Sequence, residues 1–216
     1  MSITTSTPDL HDLTRERIIF AAGEIFAEEG FQAATVRAIC EKAQVNIAAV
    51  NYHFRDKLGL YTEVLRESCV HDKLAPTHMV DDPKLALRNF IYGMMSRLLR
   101  PGYDSWRMHI MAREMAQPTP ALTVVIEQTI RPNSDFLRSI VSRLVGLPSD
   151  DIRVRRTSYS IVGQCMMYRI GAPVLKQLWP DMPTGEQSIE EIAAHITEFS
   201  LHGIEGLTSQ IREARQ

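Results

Sequence analysis

An all-α fold follows from three features of this chain. Apolar residues recur at three- and four-residue spacing through almost its whole length. No stretch alternates polar and apolar residues as a half-buried strand would. Helix starts and stops punctuate it, with Thr35, Asn46, Asp56, Asp82-Pro83 and Thr119-Pro120 as caps and Gly30 and Gly146 as terminators. About nine helices are predicted, three of them in a small N-terminal head.

Taken in order, residues 1 to about 12 read as a disordered arm, and Leu13 or Thr14 opens a helix with Ile18, Ile19, Ala22, Ile25 and Phe26 on one face, ended by Gly30. Thr35 caps a short helix carrying Val36, Ile39, Cys40 and Ala43. The periodicity breaks over Ala43, Gln44 and Val45, and Asn46 caps a second short helix, Ile47 to Phe54, in which Val50 and Phe54 stand one turn apart and face inward. Asp56 caps a fourth helix that starts at Lys57, bears Leu60, Tyr61, Val64, Leu65 and Cys69, and runs to about Leu74, where Pro76 closes it.

Asp82-Pro83 opens a fifth helix with Leu87, Phe90, Ile91, Met94 and Met95, stopped by Pro101-Gly102. A sixth starts at Asp104. The seventh runs from Thr119-Pro120 to Val145, with a kink expected at Pro132. Ser149 starts a long eighth helix to about Leu178, weakened at Gly163, Gly171 and Pro173, and the capping box Ser188/Glu191 starts a ninth that ends near Ile211. The expected division is a head over 13–57 and a helical body over 58–216.

Thr35 to Lys57 therefore reads as a helix-turn-helix. Its second helix turns Ile47, Ala48, Ala49, Asn51, Tyr52 and His53 outward. Such a face suits a major groove: small apolar groups meet thymine methyls, an Asn pairs with adenine, and hydroxyl or imidazole donors reach phosphates. Lys57 in the first turn of the next helix is opposed by the helix dipole, an arrangement that a phosphate would relieve. Net charge is only −2, and acids outnumber bases within residues 1–57, so binding through bulk charge is excluded and any DNA recognition rests on a few placed contacts.

The three cysteines, Cys40, Cys69 and Cys165, show no CxxC spacing, so neither a zinc site nor a disulfide framework is expected. The polar N-terminus and the absence of a long apolar run give no signal peptide or membrane span, and the default compartment is the cytoplasm. No catalytic triad, phosphate-cradling glycine loop or HExxH motif is present, and no enzymatic activity or cofactor is expected.

Thr35 to Lys57, preceded by a helix ending in Phe26-Ala27-Glu28-Glu29-Gly30-Phe31, resembles the DNA-binding domain of TetR/AcrR-family transcriptional regulators, and the run Val45 to Phe54 is similar to one branch of that family. The resemblance implies Thr35, Tyr52, His53 and Lys57 on phosphates and the start of the second helix on bases. With Arg37, Asn46, Ile47, Ala48, Ala49 and Asn51 these form the candidate DNA-binding set. One departure stands out: the family usually has Gly in the turn, where this chain has Gln44, and a positive φ there would cost about 1 kcal/mol. The segments Arg113-Glu114-Met115 through Pro118-Thr119-Pro120 and Gly163-Gln164-Cys165 through Tyr168-Arg169 resemble the C-terminal domain of the CecR-like branch.

In the body, Ile192, Ile196, Phe199, Gly203 and Leu207 form a seam on the last helix at close to coiled-coil spacing, expected to pack against a second copy. A homodimer would offer paired recognition helices to a pseudo-palindromic operator. A family-like cavity for a small apolar or aromatic effector is expected among Phe90, Met94, Trp106, Ile110, Met111, Tyr159 and Met166, methionine being an adaptable lining, with His109, Arg113, Glu114, Gln164 and Arg169 as polar anchors. The expectation is a ligand-responsive repressor. The rivals are a helical metalloenzyme using Glu191, His195, Glu198, His202 and Glu205, which share one helical strip, and a ligand-independent DNA-binding protein. The strip lacks the Glu-x-x-His pattern of di-iron bundles, and charged residues beside an apolar seam are the ordinary outcome, so no metal is assigned.

Overall fold

The computed structural model describes residues 10–69, 81–99, 105–182 and 185–214. Among these the chain is helical without a strand: α1 (Leu10–Ala33), α2 (Val36–Ala43), α3 (Ile47–Phe54), α4 (Lys57–Cys69), α5 (Pro83–Leu98), α6 (Ser105–Ala116), α7 (Pro120–Val125), a π-helical turn (Ile126–Ile130), α8 (Arg131–Val145), α9 (Ile152–Ile170), α10 (Ala172–Leu178) and α11 (Glu186–Glu213). The all-α reading holds. The remainder of the N-terminal arm, the end of the fourth helix with its stop at Pro76, Pro101-Gly102 and the start at Asp104 lie outside the described residues.

Five helix boundaries differ from the sequence reading. α1 starts at Leu10, ahead of the expected Leu13 or Thr14; Gly30 (φ 83°, ψ 168°) breaks its helical backbone where the sequence placed a stop, and a short helical turn continues to Ala33 beyond the bend. The predicted seventh helix is broken upstream of Pro132. A proline lacks the N–H for the i−4 bond and crowds the carbonyl four residues back, and the widened π turn opens the helix over that stretch. The predicted eighth helix divides at Gly171 into α9 and α10, with Pro173 in the first turn of α10. Asp151, not Ser149, caps α9, its Oδ1 accepting from the Arg153 N–H at 2.8 Å. The Arg153 guanidinium beside it lowers the Asp151 carboxyl to about 2. Last, α11 starts at Glu186 behind Gly185, whose φ of 99° is left-handed backbone that glycine adopts without strain, leaving Ser188 buried within the first turn and not at the cap.

The helices form two compact units. In the first, α1 to α4 share a core with α6, α7 and the π turn, built on Ile18, Phe26, Ile39, Val50, Leu60, Leu65, Trp106 and Ile110. In the second, α5 and α8 to α11 enclose Leu87, Ile91, Met95, Leu137, Ile140, Ile161, Cys165 and Ile196. The first unit takes in more of the chain than residues 13–57. No described helix is long and apolar enough to cross a membrane.

Two features fix α6 and α7 to the rest of the first unit. The Trp106 indole lies against the α1 backbone at Gly23, where an added Cβ would stand 2.5–2.7 Å from three ring carbons, and Phe20 meets the same ring edge-on with centroids 6.4 Å apart. Glu114 is the buried charged side chain among the described residues. Its Oε2 accepts from the Tyr61 hydroxyl at 2.7 Å, and its Oε1 accepts from the Thr119 N–H at 2.7 Å and the Thr119 hydroxyl at 2.8 Å. All of this carboxylate's neighbours are donors, which is what a buried charge requires.

Gly23→Ala is expected to destabilise the chain by about 1–3 kcal/mol in chemical denaturation, because the indole must leave its position. Burial, then the bond to Glu114, raises the Tyr61 hydroxyl above its ordinary value of 10.0. Its contribution is therefore complete below pH 10 and falls as the unfolded chain ionises above it. The stability difference between wild type and Tyr61→Phe should stay constant up to that pH and narrow beyond it. A difference that widens in alkali would contradict the assignment.

Candidate nucleic-acid interface

α2 and α3 are each eight residues long, too short to be helical alone in water, and their ends are held by specific caps. The Thr35 hydroxyl accepts from the Ala38 N–H at 3.1 Å, and the Asn46 Oδ1 accepts from the Ala49 N–H at 2.8 Å. Between the helices Gln44 adopts φ 53°, ψ 50°, the left-handed region where the family's glycine would be unstrained. The turn is closed by Val45 N–H to the Cys40 carbonyl at 3.0 Å, and Arg17 reaches across from α1 to donate to the Ala43 and Gln44 carbonyls at 2.5 and 3.3 Å. These bonds hold the turn in its strained conformation. Cys40 is buried in the core of the first unit.

α3 buries only Val50 and Phe54. The rest of its surface faces outward as predicted: Ile47 and Tyr52 are 53% and 75% exposed, Ala48 and Asn51 are exposed, and Ala49 and His53 are half-buried. The Tyr52 and His53 rings stand edge to face, 5.3 Å apart. Thr35, Arg37 and Asn46 are exposed on the same helix-turn-helix.

Lys57 is placed differently from a free phosphate ligand. Its Nζ donates to the Gln32 carbonyl at 3.1 Å and lies 4.8 Å from the Phe31 ring centroid, leaving two of its three donors for other partners. The Asp56 carboxylate takes the Gly59 N–H at 2.8 Å, so the first turn of α4 is capped from within, as the sequence indicated. Arg37 pairs with Glu41 at 3.0 Å, Lys42 with Glu24 at 2.9 Å and Arg15 with Glu63 at 2.7 Å. Exposed pairs of this kind contribute little to stability, but they leave the surface with little unneutralised positive charge.

The other candidate residues are dispersed. Trp106 and Ile110 lie in the core of the first unit, with Met111 packed against it. Phe90 and Met94 lie in the core of the second, with Met166 against that one, and Tyr159 is 75% exposed on α9. Arg113 and Glu114, expected as ligand anchors, are instead engaged inside the first unit, Arg113 donating to the Ala27 and Glu28 carbonyls. Along α11, Ile192 and Ile196 pack into their own unit and Leu207 against it, while Phe199 and Gly203 are exposed. Among the described residues no three His, Cys, Asp or Glu side chains are grouped to hold a metal ion. Sequence reasoning missed Arg17 and Gln32, whose roles depend on which carbonyls the fold brings near; nothing local in the chain marks them.

A model of the bacterial regulatory proteins of the tetR family matches residues 18–64, and a model of the C-terminal domain of the HTH-type transcriptional dual regulator CecR matches residues 83–204. The chain belongs to the TetR family of transcriptional regulators, in its CecR-like branch. The HTH-type transcriptional dual regulator CecR of Shigella flexneri is 27% identical over 171 residues, 73% of this chain and 76% of that protein. The HTH-type transcriptional repressor NicS of Pseudomonas putida is 23% identical over 203 residues, 89% of this chain and 93% of that one. Among solved structures, the fatty acid degradation regulator FadR of Bacillus halodurans matches with a TM-score of 0.62 at 18% identity, covering 87% of this chain and 98% of that chain. AibR in complex with isovaleryl coenzyme A and operator DNA matches with a TM-score of 0.58 at 17% identity, over 86% and 97% of the two chains. The tetR-family match spans the α2–turn–α3 just described.

Gln44→Gly should stabilise the chain by up to about 1 kcal/mol in urea unfolding, by releasing the left-handed strain at that position. Loss of stability on that substitution would show that the glutamine side chain is needed by the turn.

Proposed function

We propose that this regulator binds a pseudo-palindromic operator as a homodimer, represses from it, and is released by a small apolar or aromatic effector. The operator is read through Thr35, Arg37, Asn46, Ile47, Ala48, Ala49, Asn51, Tyr52, His53 and Lys57, and residues 58–216 carry effector binding and dimerisation. The observation that carries the reading is the outward face of α3, where just two of eight side chains are buried and the rest are of types that meet base edges and phosphates.

Dimerisation is supported by the exposed apolar groups on α9 and α11. Tyr159, Met167 and Phe199 are 75%, 53% and 63% exposed, and Gly163, Gly203 and Gly206, also exposed, admit close approach of a second helix. Two copies would present α3 at half-sites about one helical turn of DNA apart, or a multiple of it. An effector with an apolar group is in keeping with the isovaleryl end of the isovaleryl coenzyme A in the AibR complex and with Met94 and Met166 in and beside the second unit's core. A ligand that changes the separation of the paired α3 helices needs a coupling of only about 1–3 kcal/mol to change operator affinity roughly 5–150-fold. The cytoplasm is the compartment where such an operator is reached.

Selection of bound duplexes from a random pool is the direct experiment, and an enriched inverted repeat is the expected result. On the selected duplex, Asn51→Ala should relax base choice at one position per half-site, at a cost of about 1–3 kcal/mol. Lys57→Ala should weaken binding to every sequence, unrelated duplexes included, through the lost phosphate contact. Phe199→Glu should shift the chain toward monomer in analytical ultracentrifugation and lower operator affinity with it. Unchanged affinity in both head variants would remove α3 from the interface.

A further inference from the structure

The bend at Gly30, near the end of α1, is held from both sides by residues far along the chain. On one side α6 supplies Arg113, whose Nε donates to the Ala27 carbonyl at 2.9 Å and whose Nη2 donates to the Glu28 carbonyl at 2.7 Å. These are carbonyls of the last turn before Gly30, where helical bonding stops and partial negative charge collects. The same guanidinium occupies the space beside the glycine, since a Cβ built on Gly30 would lie 3.0 Å from Nη1. On the other side α4 supplies Lys57, bonded to the Gln32 carbonyl. Phe31 stands between the Lys57 ammonium and the Tyr61 ring, 4.8 Å from each.

The two sides are joined. Tyr61 donates to Glu114, the neighbour of Arg113, and Glu114 accepts both donors of Thr119 at the start of α7. Residues 27–32, which lead directly into α2 and so set the direction of α2 and α3, are thereby tied to α6 and α7 through charge-assisted bonds.

We propose that Arg113, supported by Glu114 and Tyr61, is a positioning residue for operator recognition: it fixes the α1 bend so that α3 meets its base edges in register. The assignment rests on the operator reading above. Base contacts tolerate little misplacement, whereas phosphate contacts that carry non-specific binding are made in many registers. Loosening the bend should therefore cost sequence-specific affinity selectively.

The test uses the full chain and two probes, the duplex selected from a random pool by the wild-type protein and a scrambled duplex of the same length and composition. Arg113→Ala is expected to lower affinity for the selected duplex about ten-fold or more, the scale of losing two charge-assisted bonds, while affinity for the scrambled duplex changes little. Arg113→Lys, able to reach one carbonyl, should fall between the two. Should Arg113→Ala lose its helical circular-dichroism signal, Tyr61→Phe decides in its place, because it keeps the ring packing and removes the donor to Glu114; the same selective loss is expected. Equal affinity losses on both duplexes, or an unchanged ratio in a folded variant, overturn the assignment while leaving the operator reading intact. A wild-type chain that enriches no sequence overturns both.

Discussion

A helix of eight residues does not hold itself together in water, because the bonds it makes barely offset the cost of starting it. α3 exists because Asn46 closes its first turn and because Val50 and Phe54 are drawn into the core of the first unit. That constraint has a direct functional result. With its anchoring concentrated in two side chains one turn apart, almost all of the remaining helix surface is released to face outward, and what the sequence put there is neither basic nor strongly apolar. A net charge of −2 and several ion pairs across the head leave placement, and not bulk attraction, as the source of DNA recognition.

Placement then becomes a property of the whole first unit. α2 and α3 are joined by a turn that carries strain at Gln44, and α1 enters them through a bend at Gly30; neither is rigid by itself. The clamps are polar and come from distant sequence: Arg17 on the turn, Lys57 and Arg113 on the bend, Glu114 linking α4, α6 and α7. A buried carboxylate held by three donors, from α4 and from the start of α7, favours one arrangement of three helices, since a shift leaves a charge without its partner.

Much of this was legible in the chain and the rest was not, for identifiable reasons. The caps at Thr35, Asn46, Asp56, Asp82 and Thr119 are local chemistry, and all of them accept backbone N–H bonds where the sequence placed them. The outward face of α3 follows from the spacing of Val50 and Phe54, and the strain at Gln44 from the missing glycine. Two helix starts fall elsewhere than their sequence signals: Asp151, through its side chain, and Gly185, through its backbone, take the places expected of Ser149 and Ser188. Which core a helix joins is not written in its own periodicity, so the packing of α6 and α7 with α1 and α4 could not be read, and Arg113 and Glu114 looked like ligand anchors. Ile192 and Ile196 show the same limit, since a seam at coiled-coil spacing fits a protomer's own core as well as a partner.

The central claim is that α3 and the turn before it form the surface that meets DNA. Amide resonances of the full-length protein followed during titration with its selected duplex address this most directly. The account expects the largest shifts within residues 35–57, strongest from Asn46 to His53, and a smaller set at the Gly30 bend. Shifts confined to α9 and α11, with Asn46 to His53 unmoved at saturation, would contradict it.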